Sequence, residues 1–199
     1  MIVSLEEAVA RLARGELVAY PTETVYALGA DAHQPRALEA LLDAKGRAAD
    51  RGLSLLIRDA AALAELAAPL PRSAARLAER FWPGPLTLVV PVADPRLAAV
   101  ATPLGVGFRC SPQPGAAALA RAAGVPVVST SCNQSGAPPC TSGAEVRAAF
   151  GDGLAVLGGE PAGGLAPSTV VAVSADGALR LLRAGALDFE ELSRALAAG

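Results

Sequence analysis

Residues 125–136 read VPVVSTSCNQSG, a short apolar run that passes directly into six polar side chains. The run follows a helical segment that stops at Gly124, which predicts a buried strand ending in a polar loop. Ligands of open α/β sheets bind beyond strand ends. Hydroxyls, amides and backbone N–H groups at this position could therefore hold the phosphates and ribose of a nucleotide. The alternative is an ordinary turn rich in Ser and Asn.

The rest of the chain alternates strands with helices. Strands are predicted at residues 17–20, 52–58, 86–92, 106–109, 168–173 and 178–182, with another at Val156; helices are predicted at 4–15, 35–44, 60–68, 72–80, 114–123, 142–150 and 188–198. The continuously apolar strand 86–92 should be central, and residues 175–177 should close a hairpin. We therefore predict one α/β domain, residues 1–199, with a twisted open sheet of mixed parallel and antiparallel strands flanked by helices.

Composition narrows the class of protein. The chain has 199 residues, 52% of them hydrophobic and 18% charged, which is typical of a globular protein. Its formal net charge of −2 gives no general signal for nucleic acid, so phosphate binding requires a local cluster. No apolar run reaches the roughly 20 residues of a membrane span, and the N-terminus lacks a signal-peptide core. We expect a cytoplasmic protein with no membrane partner.

Cysteine and histidine usage argues against a metal site. Cys110, Cys132 and Cys140 are an odd number without metal-ligand spacing, and His33 is the only imidazole. We expect three free thiols and no metal held by protein side chains.

The chain contains one lysine among 17 basic residues. Lys45 lies two residues before Arg47, and this pair is suited to phosphates because Lys is a compact charge and Arg a bidentate clamp. A solvated helix end that kept a lysine by chance is the equally good alternative.

Two further features indicate a site that positions substrates. Residues 21–26, PTETVY, place hydroxyls and a phenol after a buried strand, although a polar turn is the better interpretation of that segment alone. Arg109 and Arg183 each end an apolar strand, where a cation needs a partner. Walker A, Rossmann and nucleophile-elbow motifs are absent. No nucleophile stands out, which favours charge neutralisation over covalent catalysis.

Seven stretches in this order carry a family resemblance. They are YPTETVYALGADA (20–32), KGR with RGLSLLI (45–57), FWPGPLTLVV (81–90), VGFR (106–109), VPVVSTSCNQSG (125–136), PSTVV (167–171) and LRAG (182–185). Together they resemble the YrdC-like family of threonylcarbamoyl-AMP synthases, in its short, single-domain form.

The resemblance implies a concave central cavity and a nucleotidyltransferase that makes threonylcarbamoyl-AMP and pyrophosphate from L-threonine, bicarbonate and ATP with Mg²⁺. The product serves N6-threonylcarbamoyladenosine formation in tRNA, which implies tRNA and threonylcarbamoyl-transferase proteins as further partners. By position, the ATP or adenylate would be held by Lys45, Arg47, Ser131, Asn133, Thr141 and Arg183. The threonine end would be shaped by Thr22, Tyr26, Ser54, Arg109, Thr130 and Ser168.

Two alternatives stay open, and departures from the family pattern favour the second of them. Ser54 replaces a larger apolar or imidazole side chain, Gly105 stands where longer members have a hydroxyl, and Cys132 replaces a small Ala. One alternative is an RNA-binding module of the same fold. The other is a paralogue that acts on another nucleotide or acceptor substrate. The residues identify no general base, and Glu23 is too weak a candidate to assign.

Overall fold

The computed structural model describes residues 1–46, 53–67, 69–92, 94–159 and 166–197. The strands are β1 (Ile2–Val3), β2 (Val18–Pro21), β3 (Tyr26–Gly29), β4 (Ser54–Leu56), β5 (Leu86–Val90), β6 (Val106–Arg109), β7 (Val127–Ser131), β8 (Ala155–Leu157), β9 (Thr169–Val173) and β10 (Leu179–Arg183). The α-helices are α1 (Leu5–Ala13), α2 (Pro35–Lys45), α3 (Ala60–Leu66), α4 (Arg72–Phe81), α5 (Pro114–Ala123), α6 (Gly143–Phe150) and α7 (Phe189–Ala197). A 3₁₀ helix spans Pro95–Val100.

The strands form one open sheet in the order β1-β8-β2-β3-β7-β4-β6-β5-β9-β10. The pairs β1–β8, β2–β8, β4–β6 and β5–β9 are parallel, and the other pairs are antiparallel. The mixed α/β sheet and the β9–β10 hairpin are thus confirmed. Strand β5 is not central but eighth in the order. Two-residue β1 was not predicted, because so short a run carries no periodicity.

Strand β7 begins two residues later than predicted. The Pro126 carbonyl accepts from Ala32 N, outside the ladder, and the strand then continues to Ser131, which pairs with Ala27 of β3. The polar run therefore starts inside the strand, because main-chain pairing with β3 continues beyond the apolar side chains. Tertiary pairing sets this boundary, and hydrophobicity alone does not report it.

Helices pack on both faces of the sheet, as the alternation of β7 shows. Val128 belongs to a large apolar cluster with residues of α2, α3, α4, α6 and α7. Val127 belongs to a smaller cluster with α1 and α5. Among the described residues, the smaller cluster includes none from β5, β6, β9 or β10. Within the described ranges, the apolar cluster of the second face therefore does not extend over these four strands, and this half of the face is the candidate position for a ligand.

Two glycines fix the backbone near this part of the sheet, one at the end of α2 and one before β6. Helix α2 ends at Lys45 because Gly46 adopts a left-handed conformation (φ +59°), as is common just after a helix. Gly105, which precedes β6, has φ +113°, and a Cβ there would lie 2.0 Å from the Val90 carbonyl oxygen. Only glycine fits that position, so Gly105 has a structural role. None of the helices in the described ranges has the length and apolar composition needed to cross a membrane.

Candidate functional site

A row of small, mostly buried residues forms the floor of the candidate site, on the half of the second face outside the apolar cluster. Cross-strand register aligns Ser129 of β7, Ser54 of β4, Gly107 of β6 and Val89 of β5. Paired residues project to the same face, and these four belong to neither apolar cluster. A Cβ on Gly107 would lie 3.4 Å from both Ser54 Oγ and Thr87 Cγ2. The floor is therefore made of small residues, two of which carry hydroxyl groups.

Arg109 enters the site two residues after Gly107, on the same face of β6. Its Nη2 donates to Oε1 of Glu23, and Ser111 Oγ donates to Oε2 of Glu23 at 2.5 Å. The side chains of Arg109 and Glu23 are 12% and 3% exposed, so this is a buried ion pair. Arg109 Nε is also buried and has no hydrogen-bond partner in the described part of the chain. Arg109 thus keeps donor capacity beyond its bond with Glu23.

Arg183 of β10 reaches the same site from the sheet edge. Its Nη2 donates to the carbonyl and hydroxyl oxygens of Ser168 at 2.8 and 3.1 Å. Ser168 Oγ lies 2.9 Å from Oγ1 of Thr87, whose register partner is Arg109. Burial, and then the charge of Arg109, lower the pKa of Arg183. The described residues offer Arg183 no acidic partner, whereas Arg109 is paired with Glu23, so one carboxylate faces two guanidinium charges in this region.

Lys45 and the segment that follows β7 form the third part of the site. Lys45 Nζ donates to Ser131 O at 2.6 Å, to Asn133 O at 3.0 Å and to Asn133 Oδ1 at 3.3 Å. Ser131 Oγ also donates to Asn133 Oδ1, at 2.6 Å. Lys45, Ser131 and Asn133, predicted from separate parts of the sequence, are thus in direct contact.

The hydroxyls of three other predicted residues make internal hydrogen bonds. Thr22 Oγ1 donates to Val25 O at 2.6 Å inside a turn. Tyr26 is buried, and its hydroxyl donates to Gly159 O at 2.5 Å. Thr141 donates from its N and Oγ1 to the Glu145 carboxylate. Their proposed ligand contacts stay predictions, and each residue also has a structural role. Arg47 lies outside the described residues.

Thr130 and Ser129 differ from the sequence interpretation. Thr130 pairs with Leu28 on the face of the large apolar cluster, opposite to the face that bears Ser129 and Ser131. Its predicted threonine contact is therefore not supported by its position in the register. Ser129 belongs to the polar run but was not assigned to either ligand, yet its buried Oγ lies in the floor without a hydrogen-bond partner of ordinary geometry among the described residues. Two-residue alternation counted from Ser131 would have identified it.

Together, the floor, the two arginines and the Lys45 loop define a class of protein, an α/β fold with a cationic and hydroxyl-lined site on one sheet face that is suited to anionic ligands. Residues 10–185 match the Sua5_yciO_yrdC family, described as telomere recombination. This chain belongs to that family.

Named relatives agree with this assignment. A Bacillus subtilis protein named "Threonylcarbamoyl-AMP synthase" is 38% identical over 94% of this chain. A Chromohalobacter salexigens protein of the same name is 44% identical over 83% of this chain. The chain spans 55% of the first relative and 90% of the second.

Solved structures show the same fold. P. abyssi Sua5 complexed with L-threonine is 35% identical, with a TM-score of 0.85 over 98% of this chain and 61% of that one. E. coli YciO is 23% identical with a TM-score of 0.82 over 96% of this chain and 98% of that one, a likeness of fold alone.

Proposed function

We propose that this chain is a threonylcarbamoyl-AMP synthase, which forms threonylcarbamoyl-AMP and pyrophosphate from L-threonine, bicarbonate and ATP. Two relatives that match most of the chain have this name, and a P. abyssi family member has been crystallised with L-threonine. The observation that carries the proposal is the convergence of Arg109 and Arg183 on one half of a sheet face, where Ser168 and Thr87 link them. Glu23 pairs with Arg109 alone, so the charge of Arg183 is not neutralised by a carboxylate among the described residues and is left for anionic substrates.

The reaction brings negatively charged reactants into contact. The threonine amine forms an N–C bond with the bicarbonate carbon, and water leaves. A carbamate oxygen then bonds to the α-phosphorus of ATP, and pyrophosphate leaves. Every reactant carries negative charge, so cations that reduce the repulsion, together with an orienting surface, contribute most to the rate. The site residues form no covalent intermediate in this scheme.

Each of the two arginines binds a different substrate. Arg109 pairs with the threonine carboxylate, because its buried Nε is a donor in need of an acceptor. Arg183, without an acidic partner in the described chain, pairs with phosphate oxygens of the nucleotide. Ser131 and Asn133 supply the adenylate with polar contacts, and Ser54 and Ser168 line the threonine end. Glu23 is not the general base, since both of its oxygens accept hydrogen bonds from Arg109 and Ser111.

Mg²⁺ enters with the nucleotide. The described residues contain no group of three or more His, Cys, Asp or Glu side chains that could hold a metal ion. Mg²⁺ usually keeps several waters and binds substrate phosphates with few protein carboxylates, so triphosphate oxygens are its main ligands here. It would supply further charge neutralisation for the pyrophosphate that leaves.

The acyl-adenylate product requires an acceptor. A mixed anhydride of this kind hydrolyses readily, so a transferase that modifies tRNA is the expected partner, and a cytoplasmic location follows from that substrate. The formal net charge of −2 gives no general affinity for RNA. Direct binding of tRNA by this chain is therefore not needed for the reaction.

Mass spectrometry of reactions that contain ATP, Mg²⁺, bicarbonate and L-threonine tests the proposal, with each component omitted in turn. We expect a threonylcarbamoyl-AMP mass that disappears with every omission. Arg109→Met and Arg183→Met should abolish it, whereas Arg36→Met, on the exposed side of α2, should not. Absence of the product with the wild-type chain would refute the proposal. Product with another amine would favour the paralogue, and salt-sensitive RNA binding without turnover would favour the RNA-binding module.

A further inference from the structure

Lys45 is bound to the loop after β7 through both its side chain and its main chain. The ammonium donates to Ser131 O, Asn133 O and Asn133 Oδ1 within 2.6–3.3 Å. The Lys45 carbonyl oxygen accepts from Ser135 N at 2.9 Å. One residue of α2 thereby contacts three alternate positions of residues 131–135, a segment far away in the sequence.

The same contacts set the orientation of the Asn133 side chain. Its Oδ1 accepts from Ser131 Oγ and Lys45 Nζ, while its Nδ2 donates to the carbonyl oxygens of Gln134 and Ala137 at 2.9 and 2.7 Å. An amide that donates on one side and accepts on the other has one favourable orientation. Removal of the ammonium would leave loop oxygens without a charged donor and loosen this arrangement.

The position of Lys45 explains why the residue is a lysine. Its residue exposure is 3%, and a buried ammonium is tolerated only where hydrogen bonds replace its hydration. Three oxygens converge on one point, which suits a compact group with three donors. A planar guanidinium spreads its donors in a fork and would need wider spacing. The C-terminal end of α2, where Lys45 is the last residue, further favours a cation.

We propose that Lys45 is the positioning residue of the nucleotide-binding loop and acts on the nucleotide through Ser131 and Asn133 rather than as a direct phosphate ligand. The inference rests on the proposed function for the identity of the ligand, but not for the contacts between Lys45 and the loop. Its consequence is measurable. Loss of the ammonium weakens the binding of every ligand that contacts the loop, whether or not that ligand carries phosphate.

Ligands of increasing phosphate content test this directly. The variant is Lys45→Met, which keeps the side-chain length and removes the donors; the control is Arg36→Met, which removes an exposed cation from the same helix. NMR titration gives the dissociation constants of adenosine, AMP and ATP. We expect Lys45→Met to weaken all three by a common factor of about ten to a hundred, as the loss of hydrogen bonds to a charged group would. Unchanged adenosine affinity with weakened ATP would overturn the proposal in favour of a direct phosphate contact.

A second measurement needs neither a ligand nor a variant. Lys45 is the only lysine, so reductive methylation followed by mass spectrometry reports on one side chain and the N-terminal amine. We expect the Met1 amine to be methylated while Lys45 stays unmodified in the ligand-free native chain. Rapid native-state methylation of Lys45 would overturn the proposal even if nucleotide binding is normal. If the wild type binds no nucleotide, the proposed function fails. Protection of Lys45 from methylation, together with slow hydrogen exchange of the Ser135 amide, still decides whether Lys45 holds the loop.

Discussion

Replacement of Glu23 should destabilise the fold more than any exposed carboxylate can. Glu23→Ala leaves the Arg109 guanidinium without its counter-ion in a place where that side chain is only 12% exposed, and it removes the acceptor of Ser111 Oγ. An uncompensated buried charge costs about 3–5 kcal/mol of unfolding free energy. Glu23→Gln keeps an acceptor for Arg109 and a donor for Ser111, so its cost should be about 1–3 kcal/mol.

The assay is urea unfolding at pH 7, followed by circular dichroism, on a double-mutant cycle. Arg109→Met leaves Glu23 unpaired and should also be costly, but Glu23→Gln with Arg109→Met removes both charges at once. The double variant should therefore lose less than the sum of its parts, with a coupling of about 1–3 kcal/mol. Glu39→Ala, an exposed residue of α2, should change the free energy of unfolding little. A Glu23→Ala variant within about 1 kcal/mol of the wild type, or a coupling of zero, would refute the buried ion pair as the organising contact of Arg109.

Three shorter predictions test other parts of the molecule. Burial raises the pKa of Tyr20 to about 12 from its ordinary value of 10.0. The phenolate therefore forms at lower pH in the unfolded chain than in the folded one, and the free energy of unfolding should fall by about 2–3 kcal/mol between pH 10 and 12. Tyr20→Phe should reduce that loss when unfolding is measured as a function of pH. Burial raises the pKa of Cys132 to about 12 and also raises that of Cys140, so these thiols should react with Ellman's reagent only after denaturation, and fast native-state reaction would contradict this. Gly107→Val should fill the floor and raise KM for threonine with little change in ATP affinity. Gly107→Ala, whose Cβ meets its neighbours at 3.4 Å, should have the smaller effect. KM values equal to that of the wild type in both variants would show that threonine does not bind on this floor.

Much of the fold was predictable because the local signals agreed with one another. Ser4 caps α1 by accepting from Glu7 N, as the Ser-x-x-Glu pattern predicts, and α5 spans Pro114–Ala123 as its first Pro and following Gly indicate. Strand β6 at Val106–Arg109 matches its apolar run. Helix caps and apolar runs act within a few residues, so the sequence alone contains them.

The order of strands was not predictable in this way. Strand β7 contacts β3 and β4, which are about 75–100 residues earlier in the chain, and these contacts place Ser129 beside Ser54. Which face a side chain occupies follows from strand register, and register is decided by pairing between distant segments. For that reason the sequence alone could not tell which of the neighbouring residues Ser129 and Thr130 faces Ser54.

The sequence by itself indicated several of the chemical groups that the site contains. It singled out the one lysine, two strand-end arginines, and the hydroxyl and amide groups of residues 129–135, because unusual residue types in apolar surroundings are visible without coordinates. Only the tertiary structure decided what each group contacts. Lys45 donates hydrogen bonds to oxygens of the loop after β7, and Arg109 forms an ion pair with Glu23, 86 positions away in the sequence. Hydrogen bonds and ion pairs act over a few ångströms in space, and the fold alone determines which distant residues come that close.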